Sequence, residues 1–297
     1  MKFDYIKCHG SGNEFVMVDA VKNNLDGINL ADFARFVCNR EDAVGSDGVL
    51  LLVRKDGMFG MRMFNPDGSE AEMCGNGIRC VARMAEEYIN SRKFDLFSGG
   101  NIYHISREED IMPSIPTYGV DLAVKLNSAD FGFANGESHF ISQPIERLDS
   151  RLRWSAINVG NPHIVAEVEE IDYDHLTQLG RRVLELTDEF PKGINVSLVK
   201  VLGENEIFVA TYERGAGITA SCGTAMTSSA TAMALNGRCD YETTITVRNR
   251  GGVVRCICHK DGGLHTILIG NASYISKGVI SFEEGEFSFT CTERCNE

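Results

Sequence analysis

Six prolines and one tryptophan in 297 residues, with no low-complexity tract, exclude collagen-like repeats and Pro-rich linkers. The longest unbroken apolar run, Val49–Val53, is far short of the ~20 residues that cross a bilayer. The opening Met1–Lys7 has no apolar core of the length a secretion signal needs, which predicts a cytoplasmic protein. Clustered basic charge is missing too. Lys and Arg number 29 against 42 Asp and Glu, a net charge of −13, so neither nucleic acid nor an anionic membrane is the expected partner. A small-molecule ligand is the better expectation. The ten cysteines fall well below the ~8–10% of a disulfide scaffold, and in a reducing compartment they are expected as thiols.

What is present is an internal duplication. Ile6–Val18 and Ala156–Val168 each read as an apolar strand, a Gly-Asn turn and a second apolar strand. Phe64–Asn76 answers Thr211–Thr224, and each is followed by a helical pattern. Cys74 lies 61 residues after Asn13 and Cys222 lies 61 residues after Asn161, so one offset of 148 maps both pairs. A duplicated chain of this length predicts two like lobes facing each other across a pseudo-twofold cleft. β-branched content and alternation predict strands at Val49–Val53, Met58–Phe64, Asn195–Val201 and Ile207–Tyr212. Apolar spacing predicts helices at Ile78–Tyr88 and Ala225–Leu235. The crossover between lobes is expected in the interval 107–130, where periodicity is poor and Pro113 and Pro116 sit. The expected division is an N-terminal lobe, 1–118, completed by a C-terminal strand at about 278–297, and a second lobe at 119–277.

Cys74 and Cys222 each precede a Gly and a predicted helix, which places both at helix N-termini. The unpaired N–H groups and positive dipole end there bias a thiol toward thiolate and offer a dock for a carboxylate. Two such ends facing one carbon would allow one thiolate to remove an α-proton while the opposite thiol delivers another. That chemistry inverts a stereocentre and calls for no cofactor. Either cysteine alone reads as ordinary packing; the matched pair does not.

The motifs His9–Phe15, Val44–Gly48, Phe64–Cys80, Val159–His163, Tyr212–Gly217 and Ser221–Thr224 resemble the diaminopimelate epimerases, two-cysteine amino-acid racemases that need no cofactor. The resemblance runs over most of the chain. It implies an α/β (α+β) fold of two pseudo-symmetric lobes, each a mainly antiparallel sheet wrapped around a central helix, with Cys74 and Cys222 catalytic. It also implies conversion of LL- to meso-diaminopimelate for lysine and peptidoglycan synthesis, and leaves a homodimer open. Asn13, Asn65, Asn161, Asn195, Glu213 and Arg214 look like the shell that reads the substrate's far amino and carboxylate groups. Gly75, Asn76, Gly223 and Thr224 would supply N–H groups to the α-carboxylate. His163 resembles a family position near the cleft, though alone it reads as a structural histidine.

Three departures from the family pattern stand out. Ile218 replaces the usual Glu after Tyr212–Gly217, Ala225 replaces a Gly after the second cysteine, and Asn271 replaces the Pro of a Gly-Pro-Ala run. They leave open a sister racemase acting on another α-amino acid. A phenazine-biosynthesis-type isomerase shares the duplicated fold, but that type uses a carboxylate instead of two thiols. A third reading, a redox or zinc protein, would draw on Cys256, Cys258, His259, Cys291 and Cys295. Alternation puts Cys256 and Cys258 on one strand face, where packing explains them, and the last two cysteines are expected in a mobile polar tail. No metal site is therefore expected.

Overall fold

The computed structural model describes residues 1–127, 131–134, 136–295 and 297. Two compact units emerge, Met1–Val120 with Ile269–Glu297 in one and Asp121–Leu268 in the other.

In the first unit, strands run Glu286–Arg294, Ser273–Glu283, Lys2–Gly10, Asn13–Asp19, Val49–Lys55, Met58–Phe64, Lys93–Ser98 and Asn101–Glu108, each paired with the next. Asn13–Asp19 with Val49–Lys55, and Met58–Phe64 with Lys93–Ser98, are the parallel pairs; the other pairs are antiparallel. The second unit repeats this hairpin, parallel step, hairpin, parallel step, hairpin order. Its strands are Ser150–Asn158, Pro162–Glu167, Asn195–Gly203, Glu206–Glu213, Thr244–Asn249 and Gly252–His259. The duplication legible in the sequence is therefore a duplication of topology.

Each sheet packs one face on a central helix, which in the second unit is small or apolar all round. Gly75–Ile89 lies against Lys2–Gly10, Asn13–Asp19, Val49–Lys55 and Met58–Phe64. Gly223–Leu235 lies against six strands of its own unit, and every residue from Gly223 to Ala234 is buried. The opposite face of each sheet carries an amphipathic helix, Leu30–Val37 in the first unit and Tyr173–Glu185 in the second. A strand covered on both faces loses its polar alternation. That is why Val49, Leu50, Leu51 and Leu52 are all buried, with Val49 and Leu51 in the outer core beside Phe33 and Val37.

The predicted strands and central helices lie where expected, each extended by up to three residues at an end. The interval expected to carry the crossover contains a strand, Thr117–Ala123, and its residues 128–130 lie outside the described residues. The first unit resumes at Ile269 and not at about 278, because Ser273–Glu283 pairs along Lys2–Gly10 from His9↔Ser273 to Lys2↔Ser281. The expected mobile tail is corrected as well: Glu286–Arg294 is a strand paired with Ser273–Glu283, and it carries Cys291. Cys8, Cys38, Cys80, Cys239, Cys256 and Cys258 are buried. Among the described residues no three His, Cys, Asp or Glu side chains gather as metal ligands, and no helix is long and apolar enough to cross a membrane.

Candidate active site

Both cysteines occupy the residue that caps a central helix, in nearly the same extended conformation: φ −140°, ψ 112° at Cys74 and φ −128°, ψ 114° at Cys222. An extended cap residue turns its side chain back over the first helical turn, where the unpaired N–H groups point. At Cys74 the Gly77 N–H donates to Sγ at 3.3 Å. At Cys222 no helix N–H meets the sulfur in full hydrogen-bond geometry, and Sγ lies 3.4 Å from the Thr224 hydroxyl instead.

The expected bias toward thiolate does not hold at Cys222. Burial pushes its thiol well above the ordinary range, and the neighbouring Glu213 carboxylate adds to the rise. Thr224 and the Ala225 N–H pull the other way without offsetting it. The Glu213 carboxylate stands beside the Cys222 thiol. The Thr219 hydroxyl holds it there, donating to Glu213 Oε1 at 2.5 Å. Asn13 is likewise next to a thiol, with its Oδ1 3.9 Å from Cys74 Sγ and 3.3 Å from Asn76 Nδ2.

In the first unit the structure thus gathers Cys74, Gly75, Asn76 and Asn13. Asn65 sits in the turn after Met58–Phe64, where its Nδ2 donates to Ser69 Oγ. In the second unit it gathers Cys222, Gly223, Thr224, Glu213 and His163. Asn195 is buried and holds the framework, donating to the Pro162 carbonyl at 3.1 Å and accepting the Arg214 N–H at 2.9 Å. Arg214 is exposed, with Nη1 on the Lys192 carbonyl. Asn161 is half-buried in the loop before Pro162–Glu167.

His163 is closer to the chemistry than its reading as a lone structural residue suggested. It is fully buried, and its Nε2 lies 3.0 Å from the Thr224 hydroxyl that also touches Cys222. Burial, with Arg214 nearby, pushes its pKa down to about 3, so the ring is neutral near pH 7. Sequence reasoning assigned no role to Asp47, Arg79 or Thr219. Only Arg79 carried a signal, an arginine inside an otherwise buried helical stretch.

The departures fall into two kinds. Ala225 and Ile218 pack without polar contact of their own side chains, Ala225 in the buried helix and Ile218 against the outer core of the second unit. Asn271 is polar and buried: its Oδ1 accepts the Ser11 N–H at 3.0 Å and its Nδ2 reaches Ser273 Oγ at 2.8 Å.

The sequence profile of the diaminopimelate epimerases matches residues 5–110 and 155–275. Diaminopimelate epimerases of Clostridium acetobutylicum and Listeria innocua are each 36% identical to the chain, covering 99% of it and 90% and 92% of those proteins. Among solved structures, a phenazine biosynthesis protein of the PhzF family from Bacillus anthracis superposes with a TM-score of 0.67 at 16% identity, over 95% of this chain and 100% of that one. A hydroxyproline epimerase from Agrobacterium vitis superposes with a TM-score of 0.63 at 11% identity, over 98% and 92%. Those two likenesses establish the fold; the profile and the near full-length relatives show the family, and the chain belongs to the diaminopimelate epimerases.

Proposed function

We propose that the protein is an isomerase that interconverts LL- and meso-diaminopimelate by two-base proton transfer at the α-carbon, serving lysine and peptidoglycan precursor synthesis. The observation that carries this reading is the pair of cysteines in matching cap conformations at equivalent points of two units with the same topology. Packing alone gives no reason for a thiol at both places. One cysteine as thiolate takes the α-proton, and the other as thiol delivers its proton to the opposite face. Each turnover therefore leaves the two protonation states exchanged.

The free N–H groups of Gly75, Asn76, Gly223 and Thr224 are suited to an α-carboxylate and to the charge that builds on it as the proton leaves. Asn13, Asn65, Asn161, Asn195, Glu213 and Arg214 are suited to the amino and carboxylate groups at the substrate's far end, Glu213 pairing with the ammonium and Arg214 with the carboxylate. No cofactor enters this reading. A cytoplasmic setting suits it, because both thiols must stay reduced, and a homodimer is compatible with it.

The test is proton NMR in deuterium oxide with reduced protein, following loss of the α-proton signal of LL-diaminopimelate and, separately, of histidine, glutamate and proline. Exchange with diaminopimelate alone is expected. Exchange only with another amino acid keeps the two-thiol chemistry and changes the substrate. Cys74→Ser and Cys222→Ser should each reduce racemisation by at least about 10³-fold, the order expected for losing a proton-transfer group. A fully active single variant would end the proposal. In air, activity should be lost and then restored by reductant, with a peptide linking Cys74 and Cys222 in the inactive protein.

A further inference from the structure

The Val44–Gly48 motif and the arginine of the Cys74 helix have no place in that reading, yet they end a continuous polar chain through the first unit. Arg79 is fully buried and its Nη2 donates to Asn76 Oδ1 at 3.0 Å. Asn76 Nδ2 donates to Asn13 Oδ1 at 3.3 Å. Asn13 Nδ2 then donates to Asp47 Oδ2 at 2.9 Å.

The chemistry at the two ends sets the direction of every link. A guanidinium only donates and a carboxylate only accepts, whereas a carboxamide can turn over and exchange its oxygen for its NH2. With Arg79 at one end, Asn76 must offer it Oδ1 and present Nδ2 to Asn13. With Asp47 at the other, Asn13 must send Nδ2 that way. Both constraints leave Asn13 Oδ1 as the atom facing Cys74 Sγ, at 3.9 Å.

We propose that Arg79 and Asp47 are positioning residues that lock the Asn13 amide with its oxygen toward Cys74, so that the resting enzyme holds Cys74 as the thiol. A carbonyl oxygen favours S–H and disfavours S⁻, so the lock opposes the Gly77 N–H that meets the same sulfur. It deepens the two-thiol reading and depends on it only for the catalytic role of Cys74.

Both ends are built to stay put. Arg79 also donates to the Gly75 carbonyl at 3.1 Å and to Ser11 Oγ at 3.0 Å. A Cβ at Gly270 would stand 2.7 Å from its Cζ, and one at Gly10 would stand 2.7 Å from the Asn76 carbonyl oxygen, so both glycines make room for the chain. Asn271, where the family has Pro, pins Ser11 in turn. Asp47 takes the Glu14 N–H at 2.9 Å and Arg40 Nη2 at 2.8 Å. The other charged groups around these ends are Glu14, paired with Lys7 and Arg40, and His9, whose pKa is lowered chiefly by burial, with Arg79 adding to the fall and Glu14 opposing it.

Because either end alone fixes the chain, the lock predicts a coupling. The experiment is a double-mutant cycle, Asp47→Asn and Arg79→Gln, in the full chain without substrate, reading the pH midpoint of Cys74 alkylation by peptide-resolved mass spectrometry. Each single variant shifts the midpoint only by its own change of charge. The double variant frees Asn13 to turn its NH2 toward the sulfur, and its midpoint should fall about one pH unit beyond the sum of the singles, a tenfold rise in thiolate at a given pH. Arg79→Lys with Asp47→Asn keeps a donor-only end and should show no such excess. Additive midpoints in the Gln cycle overturn the proposal. If the Arg79→Gln chain shows no cooperative thermal transition, neutron diffraction on the wild type decides: deuterons of Asn13 Nδ2 on the Asp47 side support the lock, and deuterons facing Cys74 overturn it. Neither measurement involves turnover, so failure here is separable from failure to epimerise diaminopimelate.

Discussion

A fully buried histidine against the Cys222 cap puts a measurable signature on stability. His163 titrates near 6.5 when unfolded and is pushed down to about 3 when folded, so between those values the unfolded chain binds a proton that the folded chain refuses. Unfolding is therefore favoured as pH falls through that window, and the stability belonging to the neutral buried ring is complete only above about pH 6.5. The slope is about 1.4 kcal/mol per pH unit. Asp149, held low at about 2 chiefly by Arg151, acts in the same direction, but only below its unfolded value near 3.8. Urea unfolding of His163→Gln between pH 4.5 and 6 should show a slope shallower than wild type by about 1.4 kcal/mol per pH unit. Parallel slopes would mean that the ring accepts a proton in the folded protein. At this scale sequence spacing placed both thiols at helix N-termini and only the family resemblance pointed to His163, and neither carried their electrostatics. Glu213 was legible as a charged residue next to Arg214, yet its contact with the Thr219 hydroxyl depends on the register of the adjacent strand, where Gly217 is its partner, and that register is not read from residue type.

Elements read from the sequence were those whose burial is one-sided or whose neighbours repeat. Met58–Phe64 was legible to the residue, and both central helices were legible to within three residues at an end, because apolar or small residues recur along them. Tyr173–Glu185 was not singled out, since its apolar face is only Leu176, Leu179, Gly180 and Val183 amid charged positions. Gly180 is the telling residue of that face. Glycine inside a helix ordinarily costs about 1 kcal/mol relative to alanine, so Gly180→Ala would stabilise an isolated helix. Here a Cβ would fall 2.1 Å from Cγ of Tyr212, on the strand that leads directly into Glu213. A clash that deep cannot be relieved without moving the ring, and overpacking of this kind costs about 1–3 kcal/mol. Gly180→Ala should therefore lower stability despite its better propensity, and weaken epimerisation by shifting Tyr212 and its neighbour. Thermal unfolding and rate measured together check it; a stabilised, fully active variant would show that the helix slides freely over its sheet.

The architecture of the whole molecule was legible as two repeats, because an offset shared by four residues survives divergence better than any one motif. Where the first unit resumes was not, because nothing local marks Ser273–Glu283 as the partner of a strand some 270 residues earlier. That pairing makes the first unit discontinuous, and it yields a test. Ser273–Glu283 covers the edge of Lys2–Gly10, while Ile280, Phe282 and Phe287 complete the core around Phe3 and Phe33. Residues 1–120 alone would expose that edge and lose those side chains, and should give no cooperative urea transition. The chain ends to be joined are already adjacent, since Ala272 donates to the Pro116 carbonyl at 2.9 Å. A polypeptide of residues 1–120, a Gly-Ser linker of about five residues and residues 269–297 should therefore fold cooperatively. The same design cut at 118 and resumed at 278 loses the start of the pairing, from His9↔Ser273 to Ile6↔Lys277, and should unfold at lower urea or not fold. Equal transitions for the two designs would place the true edge of the unit at about 278, with the first half of that strand dispensable.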